Sequence, residues 1–117
     1  MVEQETVSPL GERMRCIAGK EVLFDKEGFF VDTRDWSAEI AIILSREMGM
    51  AAVSEKQWLV LHFLRDYYLS NGRGPLNAEL KRGTGLSLME LESMFPEGIS
   101  RSARILAGLP NPKSCMS

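Results

Sequence analysis

Residues 53–72 read VSEKQWLVLHFLRDYYLSNG, and this stretch organises the rest of the chain. Ser54, followed three residues later by Gln57, spells a capping box. The hydroxyl accepts from the backbone of the first turn, and the amide oxygen accepts from the capping residue's own N–H. Val53 and Trp58 stand where a hydrophobic staple closes over that turn. Gly72 can end the helix, because glycine takes the left-handed conformation of a C-cap without steric cost. Between these signals the apolar residues run nearly all round, so the helix is expected to be the central and most buried one.

The neighbouring segments are read outward from it. Upstream, Asp35 can cap a helix in which Trp36, Ile40, Ile43, Leu44 and Met48 recur at helical spacing before Gly49. Further upstream, two β-prone runs, Lys20–Phe24 and 29–32, flank Asp25-Lys26-Glu27-Gly28 and predict a hairpin. A hairpin alone is marginal, so it must lie on the helices. Downstream, GRGP is a turn, LNAELKR a short helix and GTGL a connection. SLMELESMF is then a second short helix, with Ser87 and Glu90 as another capping box and Leu86 and Leu91 as its staple. A last helix, capped by Ser100, is expected to run through RSARILA to Gly108. The fold class predicted is therefore α+β: a small N-terminal β-hairpin or meander packed on about five helices, two of them paired like a helix-turn-helix, with a flexible C-terminal arm.

Composition limits the function. The 117 residues are 44% hydrophobic, enough for one domain with a modest core. No apolar run approaches the ~20 residues that span a bilayer, so no membrane insertion is expected. MVEQETVSPLGERMR shows no apolar signal region, so a cytoplasmic setting is expected and residues 1–15 are expected to be a disordered extension. The expected division is then 16–108 for the domain and 109–117 for the arm. Net charge is −2, so the whole molecule does not attract nucleic acid. The second helix of the paired motif, with Glu90 and Glu92 and no Lys or Arg, lacks what a recognition helix needs, and direct DNA binding is not expected. One histidine and two distant cysteines make no metal pattern. His62 reads as a partly buried core residue and Cys16 as a buried, inert thiol. Ser/His/Asp sets, phosphate loops and carboxylate pairs do not stand out.

The C-terminal stretch GLPNPKSC, residues 108–115, is the chemical feature. Pro110 and Pro112 bias the chain towards extended polyproline II conformation. At ~3.1 Å per residue, Gly108 to Cys115 could carry the sulfur ~20 Å from the helix end. Gly108 is then the pivot, Leu109, Pro110 and Pro112 the arm, and Cys115 the reactive thiol. Lys113 favours the thiolate. Arg101 and Arg104, near the arm, are candidate contacts for a sulfur anion or an acidic partner.

FDKEGFFVD followed by DWS, FLRDYYLSNGRGP, TGLSLMELESMFPEG and the terminal GLPNPKSC together resemble the DsrC/TusE family of sulfur-carrier proteins, from about Gly19 to Cys115. The resemblance implies a β-meander against helices with a mobile C-terminal arm. It implies that Cys115 carries sulfur as a covalent persulfide or links to a substrate sulfur, and no other cofactor or metal is expected. The chain departs from the dissimilatory members, which have a second arm cysteine where Arg104 stands here. That removes an intramolecular disulfide partner and aligns the single-cysteine arm with the TusE branch, whose relay leads to thiolation of the tRNA wobble uridine. The LKRGTGLSLMELESMFPEG region, by contrast, lacks the longer insertion associated with that branch. The expected function is a sulfur relay: a sulfurtransferase-like carrier rather than a turnover enzyme, with sulfur-donor and sulfur-acceptor proteins as partners. The alternative is a dissimilatory sulfite reductase-associated partner, gamma-subunit-like, or a sulfur-responsive regulator.

Overall fold

The computed structural model describes Thr6–Val7 and residues 11–112. Three antiparallel strands, β1 (Thr6–Val7), β2 (Arg13–Ile17) and β3 (Lys20–Phe24), form one sheet in the order β1-β2-β3. Helices α1 (Ala38–Glu47), α2 (Glu55–Asn71), α3 (Asn77–Thr84) and α4 (Leu88–Ser93) follow. The last is a π-helical turn, Ile99–Ala103, that runs into the short α5 (Arg104–Leu106). The chain is an α+β domain.

The sheet begins earlier than the sequence reading placed it. β3 pairs with β2 from Ile17↔Lys20 to Arg13↔Phe24, through a two-residue turn in which Ala18 (φ +54°) and Gly19 (φ +77°) are both left-handed. Positive φ at both central residues matches the right-handed twist of the strands. Residues 13–15, expected in a disordered extension, are thus the first part of an inner strand. The run 29–32, expected to be the partner of β3, contributes only a bridge between Phe30 and Phe24. Its competitor is the Asp25 carboxylate, which accepts from the N–H groups of Glu27 and Phe29 (both 2.9 Å) and curls the chain into a loop. The pairing also places Cys16. It stands opposite Glu21 on the outer face, one residue before the buried Ile17, and is exposed rather than buried.

Helix starts divide into those set locally and those set from afar. The Ser54/Gln57 box forms, with bonds of 3.1 and 2.8 Å, and so does the Ser87/Glu90 box (both 3.1 Å). α1 starts later than expected. Asp32 caps a short 3₁₀ turn, Thr33–Asp35, and Ser37 caps α1 by accepting from the N–H of Ile40 (3.2 Å). Asp35 therefore ends the turn rather than opening the helix. α2 ends at Gly72 as read, but it buries one face only: Val60, Leu61 and Leu64 are inside, while Leu59 and Leu69 are exposed. His62, exposed on the same helix, stacks on Trp58 with ring centroids 5.6 Å apart.

The core lies where the sheet, α1, α2 and the C-terminal helical turns meet. Val22, Phe30, Ile40, Leu61, Leu64 and Leu106 are all essentially inaccessible. Each such side chain contributes roughly 1.5–3 kcal/mol by burial. Arg15 closes one edge with a two-pronged bond to Glu47 at the end of α1 (3.0 and 2.7 Å).

Candidate functional site at the base of the C-terminal segment

Cys115 and Lys113, the expected thiol and its flanking cation, lie outside the described residues. The chain that leads to them is described as far as Pro112. Its first part is the π-helical turn. Ser100 does not cap it and is exposed. Gly98 precedes the turn, and two side chains, one from α4 and one from within the turn, satisfy N–H groups around its start. Glu92 accepts from Ile99 N–H (3.1 Å), and the buried Ser102 hydroxyl accepts from Glu97 N–H (2.8 Å). Glu92 thus serves as a remote cap, and Glu90 is committed to its own capping box. These two acidic residues of the paired helices α3 and α4 have structural work that is unrelated to nucleic acid.

The second part is the helix end. Ala107 N–H and Leu109 N–H close the last turns on Ala103 and Arg104 carbonyls (2.9 and 3.0 Å). Gly108 has φ +76°, and a Cβ built on it would overlap Trp36. The reason is Trp36 itself, whose indole N–H donates to the Leu106 carbonyl (2.6 Å) from beneath the turn. Arg65 of α2 lies over the Trp36 ring, 4.4 Å from its centroid. It donates to the carbonyls of Ala107 (3.1 Å) and Thr33 (2.8 Å) and to the Thr33 hydroxyl (2.9 Å). Burial lowers the Arg65 pKa, and the neighbouring Asp66 opposes the shift. The orphan carbonyls of the helix end are therefore bound by an indole and a guanidinium, in addition to local turns.

The third part corrects where the arm departs. Expected to leave at Gly108, the chain is instead held for three more residues. Leu109 is 1% exposed within the core, and Asn111, 6% exposed, donates to the Glu27 carboxylate (3.0 Å). Leu109 is core rather than arm, and the reach of Cys115 is measured from beyond Asn111. Pro110 is half-buried and Pro112 exposed. Arg101 and Arg104, named together in the sequence, stand on different sides of this segment. Arg101 pairs with Glu97 (2.5 Å) and lies over Phe29, in a cavity of about 290 Å³ that it shares with Glu27 and Asn111. Arg104 lines a groove of about 400 Å³ with Pro110 and Pro112. Trp36, Arg65 and Glu27 are the positioning residues that the sequence reading did not pick out, and no local pattern marks them.

Among the described residues no cluster of His, Cys, Asp and Glu is arranged to hold a metal, and no helix is long and apolar enough to cross a membrane. The described domain is a small α+β platform whose last residues, Leu109 to Asn111, are pinned to it. Residues 16–116 match the family model for DsrC-like proteins, and the chain belongs to the DsrC family. It is 34% identical to the dissimilatory-type sulfite reductase subunit gamma of Nitratidesulfovibrio vulgaris, over 84% of this chain and 93% of that one. It is 31% identical to the sulfurtransferase TusE of Escherichia coli, over 88% of this chain and all of that one. A chain in the crystal structure of dissimilatory sulfite reductase I (DsrI) superposes with a TM-score of 0.79 at 33% identity, covering 85% of this chain and 95% of that one.

Proposed function

We propose that the chain is a sulfur carrier whose Cys115 takes a sulfur atom from one protein and passes it to another. The observation that carries this reading is the family match through residue 116, which takes in the GLPNPKSC end and its single arm cysteine. In the loading step the Cys115 thiolate attacks the outer sulfur of a donor persulfide, R–S–SH. An S–S bond forms at Cys115 as the donor's S–S bond breaks, and the donor leaves as a thiolate. The transferred sulfur keeps its oxidation state and its proton, so no external oxidant enters. Hand-over to an acceptor thiolate repeats the exchange and regenerates the Cys115 thiolate. The setting is the cytoplasm, where such thiols stay reduced.

Arg104 in place of a second arm thiol favours relay over ring closure within the arm, and supports a route towards thiolation of tRNA uridine. The match to nearly the whole of a sulfite reductase gamma subunit supports the second reading, docking to a reductase-type partner. Intact mass after incubation with a persulfide donor tests the carrier. Because Cys16 is exposed, the measurement is made on Cys16→Ser and Cys115→Ser side by side. The first is expected to gain the mass of one sulfur and the second none. No gain in the wild type, or equal gain in Cys115→Ser, overturns the reading. Under the second reading, capture of a sulfite reductase survives Cys115→Ser.

A further inference from the structure

Arg101 is only half engaged. Its Nε pairs with Glu97 (2.5 Å), and its guanidinium lies over the Phe29 ring, 5.7 Å from the centroid. Among the described residues its two terminal amino groups have no acceptor. One of them, Nη2, borders the space above Gly28, where an added Cβ would lie 3.5 Å from it and 3.9 Å from Ile105. That space belongs to a cavity of about 440 Å³ between β2, the 24–28 loop, the end of α1 and the last helical turns. Such a volume falls within the roughly 300–1,000 Å³ of small-molecule sites. Phe24, Leu44 and Ile105, all buried, give it an apolar floor. Lys26 lines its exposed side, with its stem packed across Gly11 and no partner for its ammonium among the described residues.

The carboxylates of the same wall are already bound. Asp25 accepts from the Glu27 and Phe29 N–H groups (both 2.9 Å), Glu47 from both prongs of Arg15 (3.0 and 2.7 Å), and Glu27 from Asn111 (3.0 Å). Arg13 and Arg15, themselves engaged, add positive charge to the wall. The cavity thus offers cationic donors without acceptors beside an apolar floor. We propose that it binds a small organic monoanion, a carboxylate on an apolar body, with the open edge of the Arg101 guanidinium on the carboxylate and Lys26 beside it. The planar fork of a guanidinium matches the two oxygens of a carboxylate. Asp25, Glu27 and Glu47 repel a compact dianion such as phosphate, which has no apolar body to offset the repulsion. Arg101 also lines the neighbouring cavity that contains Asn111 and Pro112, so the occupant lies one side chain from the base of the C-terminal segment. The site goes beyond the sulfur-carrier reading and makes no use of Cys115.

Phenylacetate is the probe, titrated into the isotope-labelled full chain at neutral pH and followed by amide resonances. Phenylacetamide serves as its uncharged counterpart and inorganic phosphate as the compact dianion. Phenylacetate is expected to saturate in the millimolar range, moving the resonances of Gly28, Arg101 and Ile105 and leaving that of Gly85, outside the cavity, in place. Phenylacetamide and phosphate are expected to bind about tenfold more weakly or not at all. Arg101→Gln should weaken the acid by roughly tenfold, and Lys26→Gln by a smaller factor. Glu97→Gln removes the partner of Arg101 but keeps the guanidinium, and it should bind the acid at least as tightly as wild type. Cys115→Ser should bind it as wild type does. The comparison of acid, amide and phosphate needs only the wild-type chain, and it decides the matter if a variant fails to fold. Absence of saturable shifts, shifts spread over the whole surface, or an amide or phosphate that binds as well as the acid overturns the site. So does unchanged binding in Arg101→Gln, or a loss in Glu97→Gln or Cys115→Ser as large as the one expected for Arg101→Gln.

Discussion

The start of α2 and the end of α5 solve the same problem in opposite ways. At Ser54 the orphan N–H groups are satisfied within four residues, by Ser54 and Gln57. At Leu106–Ala107 the orphan carbonyls are satisfied by Trp36 and Arg65, 70 and 42 residues away. A local cap holds a helix wherever the helix goes. A remote one fixes the helix end to the body of the domain, and with it the direction in which residues 109–112 depart. A carrier whose thiol must reach partners gains from a rigid departure point, and the remote caps supply one.

Gly108→Ala is the strongest way to break that arrangement. A side chain at φ +76° incurs the left-handed penalty and would overlap Trp36. Together these are expected to destabilise by roughly 3 kcal/mol or more. Chemical denaturation should show the loss in full. Because the indole is displaced from beneath the turn, sulfur loading of Cys115 should fall under conditions where the variant is still folded. A stability within about 0.5 kcal/mol of wild type would mean that Trp36 does not pack under the turn.

The same contrast explains what was legible in the sequence. Both capping boxes, the Gly72 stop, β3 and the short helix pair could be read, because each is written in residues three or four apart. The family resemblance was legible for the same reason, in runs such as FLRDYYLSNGRGP. Most failures sit where a distant partner decides. The run 29–32 is the local exception: the Asp25 carboxylate takes the Phe29 N–H four residues on, and only the Phe24–Phe30 bridge forms, with Val31 N–H on the Leu23 carbonyl (3.1 Å). Glu92 displaces Ser100 as cap, and Glu27 ties Asn111 to the domain where two flanking prolines had pointed to an extended arm. Cys16 was misread for a related reason: its face depends on the register with β3, and a one-residue shift of register reverses every side chain.

A serine series sharpens the comparison at smaller scale. Ser54→Ala removes a local cap and is expected to cost about 1 kcal/mol. Ser102→Ala removes a buried hydroxyl and leaves the Glu97 N–H without its acceptor in a partly buried setting, and should cost about 1–2 kcal/mol. Ser100→Ala, the change that a cap at this position would make costly, is expected to stay within about 0.5 kcal/mol. Thermal melts of the three variants give the ranking, and a Ser100→Ala loss as large as that of Ser54→Ala would restore the local reading of the last helix.

The weakest of these effects lies at the α2–α3 joint, where local and remote bonds share one carboxylate. Glu79 accepts from Leu76 N–H at the start of its own helix (2.7 Å), from the Tyr67 hydroxyl (2.5 Å) and from Arg73. The Arg73 bond first, then those from Tyr67 and Leu76, hold its pKa down at about 2, against 4.5 for a free glutamate. A carboxylate with a depressed folded-state pKa contributes stability that is complete above about 4.5 and is lost as the pH falls towards about 2. Glu79→Gln should therefore flatten part of the acid limb of the stability curve in that window and leave the slope near neutrality unchanged. The joint is exposed to water, which screens the pair, so the change in slope is expected to be small. Urea midpoints at a series of pH values from 2 to 7 measure it. If the slopes of Glu79→Gln and wild type coincide between pH 2 and 4.5, the carboxylate is not tied at this joint, and Arg73 is free to swing towards the groove that Arg104 lines.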